Sequence, residues 1–234
     1  MTKPRLLDLF CCAGGAGMGY HRAGFEVVGV DIKPQPHYPF EFHQADAFEY
    51  LRDHGHEFDA IHASPPCQAH SALKTMPNSK QHDDLLTPMR RELQQAGKPF
   101  VIENVVGAPM FDALTLCGTM FDLGVGSAEL RRHRIFECSH FIPRPGPCRH
   151  YMRGKVIGVY GGHGRDRRRV KPKTVTIIGH AGWSSVRDGT QQFSTDERKI
   201  AMGIDWMNGN ELSQAIPPAY TEYIGRKLLE VINQ

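Results

Sequence analysis

Apolar positions along the chain come in short unbroken runs, each closed by glycine, proline or an acid. Arg5-Leu6-Leu7-Asp8-Leu9-Phe10 reads as a buried strand. The glycine-rich stretch Cys11–Gly19 turns the chain and opens a helix that closes near Gly24. Glu26–Val30 predicts a second strand ending at Asp31, and Pro34, Pro36 and Pro39 mark the loop beyond it. A third strand precedes Asp46, a helix follows over Ala47–Asp53, and Phe58–Ala63 is another strand. Ser64–Lys80 has no periodicity and reads as a long loop of the kind that often serves as a lid. Leu85, Leu86, Met89 and Leu93 recur at helical spacing within Asp83–Ala96, which Gly97 and Pro99 end before the strand Lys98–Glu103.

Strands alternating with helices predict an α/β fold, a doubly wound and mostly parallel sheet. After Arg134 the pattern changes. Ile135–Cys138 reads as a strand, and Pro143, Pro145, Gly146, Pro147 and Gly154 then break any regular element. Val156–Tyr160 and Thr174–Ile178 read as short strands within a small inserted lobe, residues 139–192. Segments 195–207 and 217–232 read as helices that return to the main sheet, so residues 1–138 and 193–234 form one domain.

Composition narrows the class only slightly. The chain has 234 residues, 40% hydrophobic and 23% charged, with a formal net charge of +3. That is ordinary globular composition, enough for a proper core and too mildly basic to announce a nucleic-acid partner by itself. No apolar run approaches a membrane span, and no secretory signal is read at Met1–Arg5. Six scattered cysteines fit a reducing cytoplasm better than a disulfide scaffold. Positive charge is local: Arg165–Lys173 holds six bases and one acid, and Arg131-Arg132-His133-Arg134 is a second cluster. A solvated loop is the plain alternative for either.

The candidate chemistry sits at strand ends. Ser64-Pro65-Pro66-Cys67-Gln68 presents one thiol where a strand meets a rigid turn, at the sheet edge where such folds place their sites. A free cysteine is more often buried apolar filling. Gly14, Gly15, Gly17 and Gly19 would let a ligand approach the backbone, and Asp31, at the end of the second strand, could accept ribose hydroxyls. Asp46 is placed to reach a base edge, although each acid taken singly suits a cap or turn. Together they suggest an adenosine-bearing cofactor. Glu103-Asn104-Val105 puts a carboxyl at another strand end, where it could bind and protonate a ring that the thiol attacks. Cys138-x-His140 and Cys148-x-His150 hold four zinc-type ligands within 13 residues, but one-residue spacing within each pair is not the usual zinc spacing, and no metal is assigned.

At these residues the chain resembles the cytosine-C5 DNA methyltransferases, in a compact form like bacterial or phage members. The resemblance lies in Asp8-Leu9-Phe10 with Gly14-Gly15, in Pro65-Pro66-Cys67-Gln68 followed by Ser71, in Glu103-Asn104-Val105, and in Arg132-x-Arg134, all in the family's order. It implies a Rossmann-like class I methyltransferase fold using S-adenosyl-L-methionine, with S-adenosyl-L-homocysteine as product. It places the cofactor on Phe10, Ala13, Gly14, Gly15, Asp31, Ile32, Asp46, Ala47 and Pro65. Cys67 would attack C6 of a cytosine flipped from double-stranded DNA, Glu103 would hold the N3/N4 edge, and Arg134 with Arg132 would contact cytosine O2 or the backbone. Gln68, Ser71, Lys74, Arg165, Arg167, Arg168 and Arg169 would contact the nucleic acid, the inserted lobe reading DNA in a monomeric enzyme. Cys12 and Leu130 depart from the family's usual glycine and glutamine, and Leu212–Pro218 from its usual C-terminal motif. An RNA cytosine methyltransferase, an inactive DNA-binding protein of the same fold and a cysteine hydrolase are the alternatives.

Overall fold

The computed structural model describes residues 2–66, 84–140, 142–150, 155–161, 176–179 and 193–233. Strands β1 (Arg5–Leu9), β2 (Glu26–Asp31), β3 (Glu41–Gln44), β4 (Ala60–Ala63) and β5 (Phe100–Asn104) pair in parallel. Beyond them come β6 (Leu114–Leu116) and β9 (Arg134–Cys138), giving a seven-stranded sheet of order β3-β2-β1-β4-β5-β9-β6 in which β9 runs antiparallel to both neighbours. Every residue of β4 and β5 is buried. That is why they read as continuous apolar runs: helices cover both faces of the sheet.

Alternation along β1 divides the core. Leu7 and Leu9 pack with Val28, Ile61 and Ile102 beneath α2 (Ala47–His54) and α3 (Leu86–Ala96), whereas Leu6 packs with Val27, Val101 and Phe136 beneath α1 (Gly15–Ala23) and α6 (Pro218–Ile232). Asp46 caps α2, its Oδ1 accepting from the amides of Phe48 and Glu49. A buried bidentate pair, Arg90 Nε and Nη2 to the two Glu137 oxygens at 2.7 and 2.8 Å, fastens α3 to β9.

A four-stranded sheet, order β11-β10-β8-β7, stands beside the large one. It takes β7 (Gly124–Val125) and β8 (Ala128–Leu130) from before residue 138, and β10 (Lys155–Gly161) and β11 (Thr176–Gly179) from after it. Of the two C-terminal helical segments expected to return to the main sheet, only α6 does so. Ser194 and Asn208 open α4 (Thr195–Met202) and α5 (Gly209–Gln214) with capping boxes, and Ala201, Met202 and Leu212 of these helices bury against Leu130 and Ile157 of the smaller sheet. Among the described residues no helix is long and apolar enough to cross a membrane.

Candidate active site

Strand order reverses between β1 and β4, and open sheets hold ligands outside the carboxyl ends of strands at such a point. Four strand ends meet there. After β1, Phe10 and Cys12 adopt left-handed backbone (φ 57° and 46°), as does Gly14 (φ 81°). The turn is tied to β2 twice: Cys11 N–H donates to Val30 O at 3.1 Å, and Cys12 N–H to Asp31 Oδ2 at 3.1 Å. Lys33 N–H holds Asp31 Oδ1 at 2.9 Å, so backbone amides orient both carboxylate oxygens. Beside them Ile32 is 62% exposed, an apolar platform next to an acid. Trp206, which carried no signal in the sequence, donates Nε1–H to Ala13 O at 2.8 Å.

The glycines of this turn also answer to internal packing. A Cβ on Gly15 would lie 2.5 Å from Ile216 O, and one on Gly19 would lie 2.0 Å from Thr221 Oγ1 and 2.2 Å from Pro218 O. Gly15 and Gly19 thus let α1 close on α6. Asp46 spends one oxygen on the α2 cap, and Ala47 is buried in the first turn of that helix.

Asp8 lies wholly buried in β1. Tyr38 O–H donates to its Oδ2 at 3.3 Å, and its Oδ1 has no hydrogen-bond partner among the described residues. Burial pushes its carboxyl up to about 7 against the pull of Tyr38 and the Gly17 amide.

The ends of β4 and β5 form the second half of the site. Ser64 N–H donates to Leu9 O at 3.1 Å, and Asn104 Nδ2–H donates to Pro65 O at 3.1 Å. Asn104 thus clamps the chain two residues ahead of Cys67. Glu103, beside it, is 7% exposed, with Arg134 Nε 2.9 Å from its Oε1. Burial raises the Glu103 carboxyl, opposed by Arg134, by Arg132 and by a hydrogen bond from Ser64. A polar chain runs behind it: Tyr20 O–H to His62 Nδ1 at 2.9 Å, and His62 Nε2 to Ser64 Oγ at 2.9 Å. Complete burial drives the His62 imidazole down to about 3, so it is neutral.

Of the residues singled out in the sequence, Pro65, Glu103 and Arg134 come together at this edge, with Asp31 and the β1 turn on the other side of the switch point. Arg132 is buried and donates Nη2–H to Ser213 O at 2.9 Å, while its own carbonyl accepts from Tyr220 O–H at 2.6 Å. Cys67, Gln68, Ser71, Lys74, Arg165, Arg167, Arg168 and Arg169 lie outside the described residues.

Residues 4–113 match the family described as C-5 cytosine-specific DNA methylase. Over these residues the chain is similar to C-5 cytosine-specific DNA methylases. A curated relative, the Type II methyltransferase M.AgeI of Thalassovita gelatinovora, is 28% identical over 120 residues, a match spanning 44% of this chain and 28% of that relative's length. Two solved structures share the fold over nearly the whole of both chains. One is a candidate DNA modification methyltransferase encoded within an E. coli prophage, with TM-score 0.62, 15% identity and coverage of 99% and 100%. The other is the Dnmt2 methyltransferase of S. pombe, with TM-score 0.59, 13% identity and the same coverage. The matched stretch contains β1 through β5 and so every strand end of the site except that of Arg134.

Proposed function

We propose that this chain is an S-adenosyl-L-methionine-dependent DNA cytosine-C5 methyltransferase, acting in the cytoplasm as a monomer on double-stranded DNA. The observation that carries the reading is the meeting of Glu103, Arg134 and the Asn104-clamped Pro65 at one sheet edge. A buried acid with a raised pKa, beside a clamped Pro65 two residues ahead of Cys67, suits attack on an electron-poor ring.

The residues present fit the cofactor. Asp31 offers a carboxylate already oriented by two amides for ribose hydroxyls, and exposed Ile32 offers an apolar face for a purine. Phe10, Ala13, Gly14, Gly15, Asp46, Ala47 and Pro65 complete the proposed surround. When bound, S-adenosyl-L-methionine supplies an electrophilic methyl group.

Cys67 does the first chemical work. As thiolate it forms a bond to C6 of the flipped cytosine, and the ring's electrons move toward N3 and C5. Glu103 meets that charge at N3, giving up its proton there, and accepts from the N4 amino group. Its raised pKa favours holding the proton until then. Arg134 holds the resulting carboxylate and aligns it with the ring. C5 would then bond the methyl group as that group's bond to the donor sulfur breaks, a base would take the C5 proton, the Cys67 sulfur would leave as the C5–H electrons pass back into the ring, and N3 would return its proton to Glu103. Arg132, turned toward Ser213, positions Arg134 through the backbone. We assign Gln68, Ser71, Lys74 and the basic run of Arg165, Arg167, Arg168 and Arg169 to phosphate contacts, within a DNA-contacting lobe at 139–192 for the basic run.

Incubation with methyl-labelled S-adenosyl-L-methionine and either duplex DNA or RNA tests the reading. Label at cytosine C5 of DNA is the expected result. Label in RNA alone, or cofactor binding with no transfer, overturns it.

A further inference from the structure

The four metal-type ligands considered in the sequence do not assemble: Cys138 lies in β9 and His140 hydrogen-bonds Ser139. A different four do. Cys117, His133, Cys148 and His150 bring one sulfur or nitrogen each to within 4.8 Å of one another. Cys117 Sγ is 3.4 Å from His150 Nε2, and Cys148 Sγ is 3.3 Å from His133 Nε2. We propose that these residues bind one zinc ion in a closed, structural Cys2His2 site.

Three observations beyond proximity carry this. Tetrahedral zinc with bonds of about 2.3 Å to sulfur and about 2.0 Å to nitrogen sets sulfur and nitrogen about 3.5 Å apart, near both measured separations. The two imidazole rings lie 86° apart with centroids 5.1 Å apart. Two rings bound to one zinc through Nε2 place their centroids about 5 Å apart by the same bond lengths. The third observation is the support around the ligands. Thr119 O–H donates to Cys117 Sγ at 3.4 Å, and Arg149 N–H donates to Thr119 Oγ1 at 3.2 Å, so a threonine joins the ligand on one side to the ligand-bearing segment on the other.

The ligands come from separate places. Cys117 follows β6, His133 precedes β9, and Cys148 and His150 lie in the segment 142–150, which has no helix or strand. Zinc would therefore fasten an irregular, proline-rich segment to the edge of the large sheet. It would also fix His133, whose carbonyl accepts from Arg134 Nη1 at 2.9 Å. The ion thus holds the backbone that delivers Arg134 to Glu103. Zinc binding itself does not depend on the proposed reaction.

Metal content of the full chain, purified without chelator, reads this directly. About one zinc per chain is expected, falling to near zero in Cys148→Ser/His150→Ala and unchanged in Cys138→Ser/His140→Ala. Exchange into cobalt(II) should give the intense visible bands and sulfur charge transfer of a tetrahedral thiolate site. That readout on the unaltered chain decides the matter should the double variant fail to fold. No bound zinc, a weak octahedral cobalt spectrum, a Cys117–Cys148 disulfide, or zinc retained without Cys148 and His150 would each overturn the site.

Discussion

The clusters around Glu103 and Cys117 share one stretch of backbone, His133-Arg134, yet they hold polar atoms by different means. At Glu103 a buried acid faces a guanidinium at 2.9 Å, and neutral donors from Ser64 and His62 extend the network inward. At Cys117 the four converging ligands are sulfur and imidazole, with no carboxylate or guanidinium in the group. The first arrangement leaves an acid whose proton can move, which is what ring chemistry needs. The second would give up its thiol protons on taking the proposed cation and keep none for chemistry. A reactive site and a fastening site can thus sit on adjacent residues because their donor sets differ.

The comparison breaks most sharply at Glu103. Glu103→Gln keeps the shape and removes the transferable proton, so single-turnover methyl transfer should fall about 10²–10³-fold while cofactor affinity stays level. A rate within about threefold of the parent, too small for a lost charge-stabilising group, would remove Glu103 from the chemistry.

Asp8 extends the contrast, as a buried acid with no guanidinium against it among the described residues. Its folded pKa of about 7 lies above its ordinary value of 3.8, so the native state binds the extra proton between these values. Its contribution to stability is therefore fully present below pH 3.8 and lost as pH rises through 7. Asp8→Asn should gain about 4 kcal/mol at about pH 7, shrinking toward nothing by about pH 4, as urea denaturation at several pH values would read. A gain independent of pH would assign the effect to packing.

Asn104→Ala removes the clamp on Pro65 and leaves Glu103 in place. Methyl transfer should drop about tenfold through loss of positioning, with the pH profile unmoved. The smallest effect belongs to the basic run. Neutralising Arg167, Arg168 and Arg169 should lower the slope of log affinity against log salt by about 0.9 for every phosphate that these side chains neutralise. An unchanged slope would discard their role in holding DNA.

Much of this site was legible because it lies in contiguous runs. Pro65-Pro66 and Glu103-Asn104-Val105 each follow a fully buried strand, so apolar continuity places them at the same edge. Asp31 follows from the same logic. What escaped depends on separations that no local pattern encodes. The packing of Ile216 and Thr221, from the far end of the chain, against Gly15 and Gly19 is one such separation. Strands β7 and β8 are two and three residues long, too short for a period to show. The Cys117 cluster joins residues from three separate segments, while the one-residue pairs that stand out in the sequence point elsewhere. Helix α4 was expected within 195–207, but its docking partner was not visible, because an amphipathic face does not name the sheet it meets.

The most direct test of the central claim is covalent trapping on duplex DNA carrying 5-fluorocytosine, with S-adenosyl-L-methionine present. Fluorine cannot leave C5 as a proton does, so the bond from Cys67 to C6 should persist. The account predicts a protein–DNA complex that survives denaturation and is lost in Cys67→Ser. Absence of any adduct across varied sequence contexts, with cofactor binding intact, would contradict it.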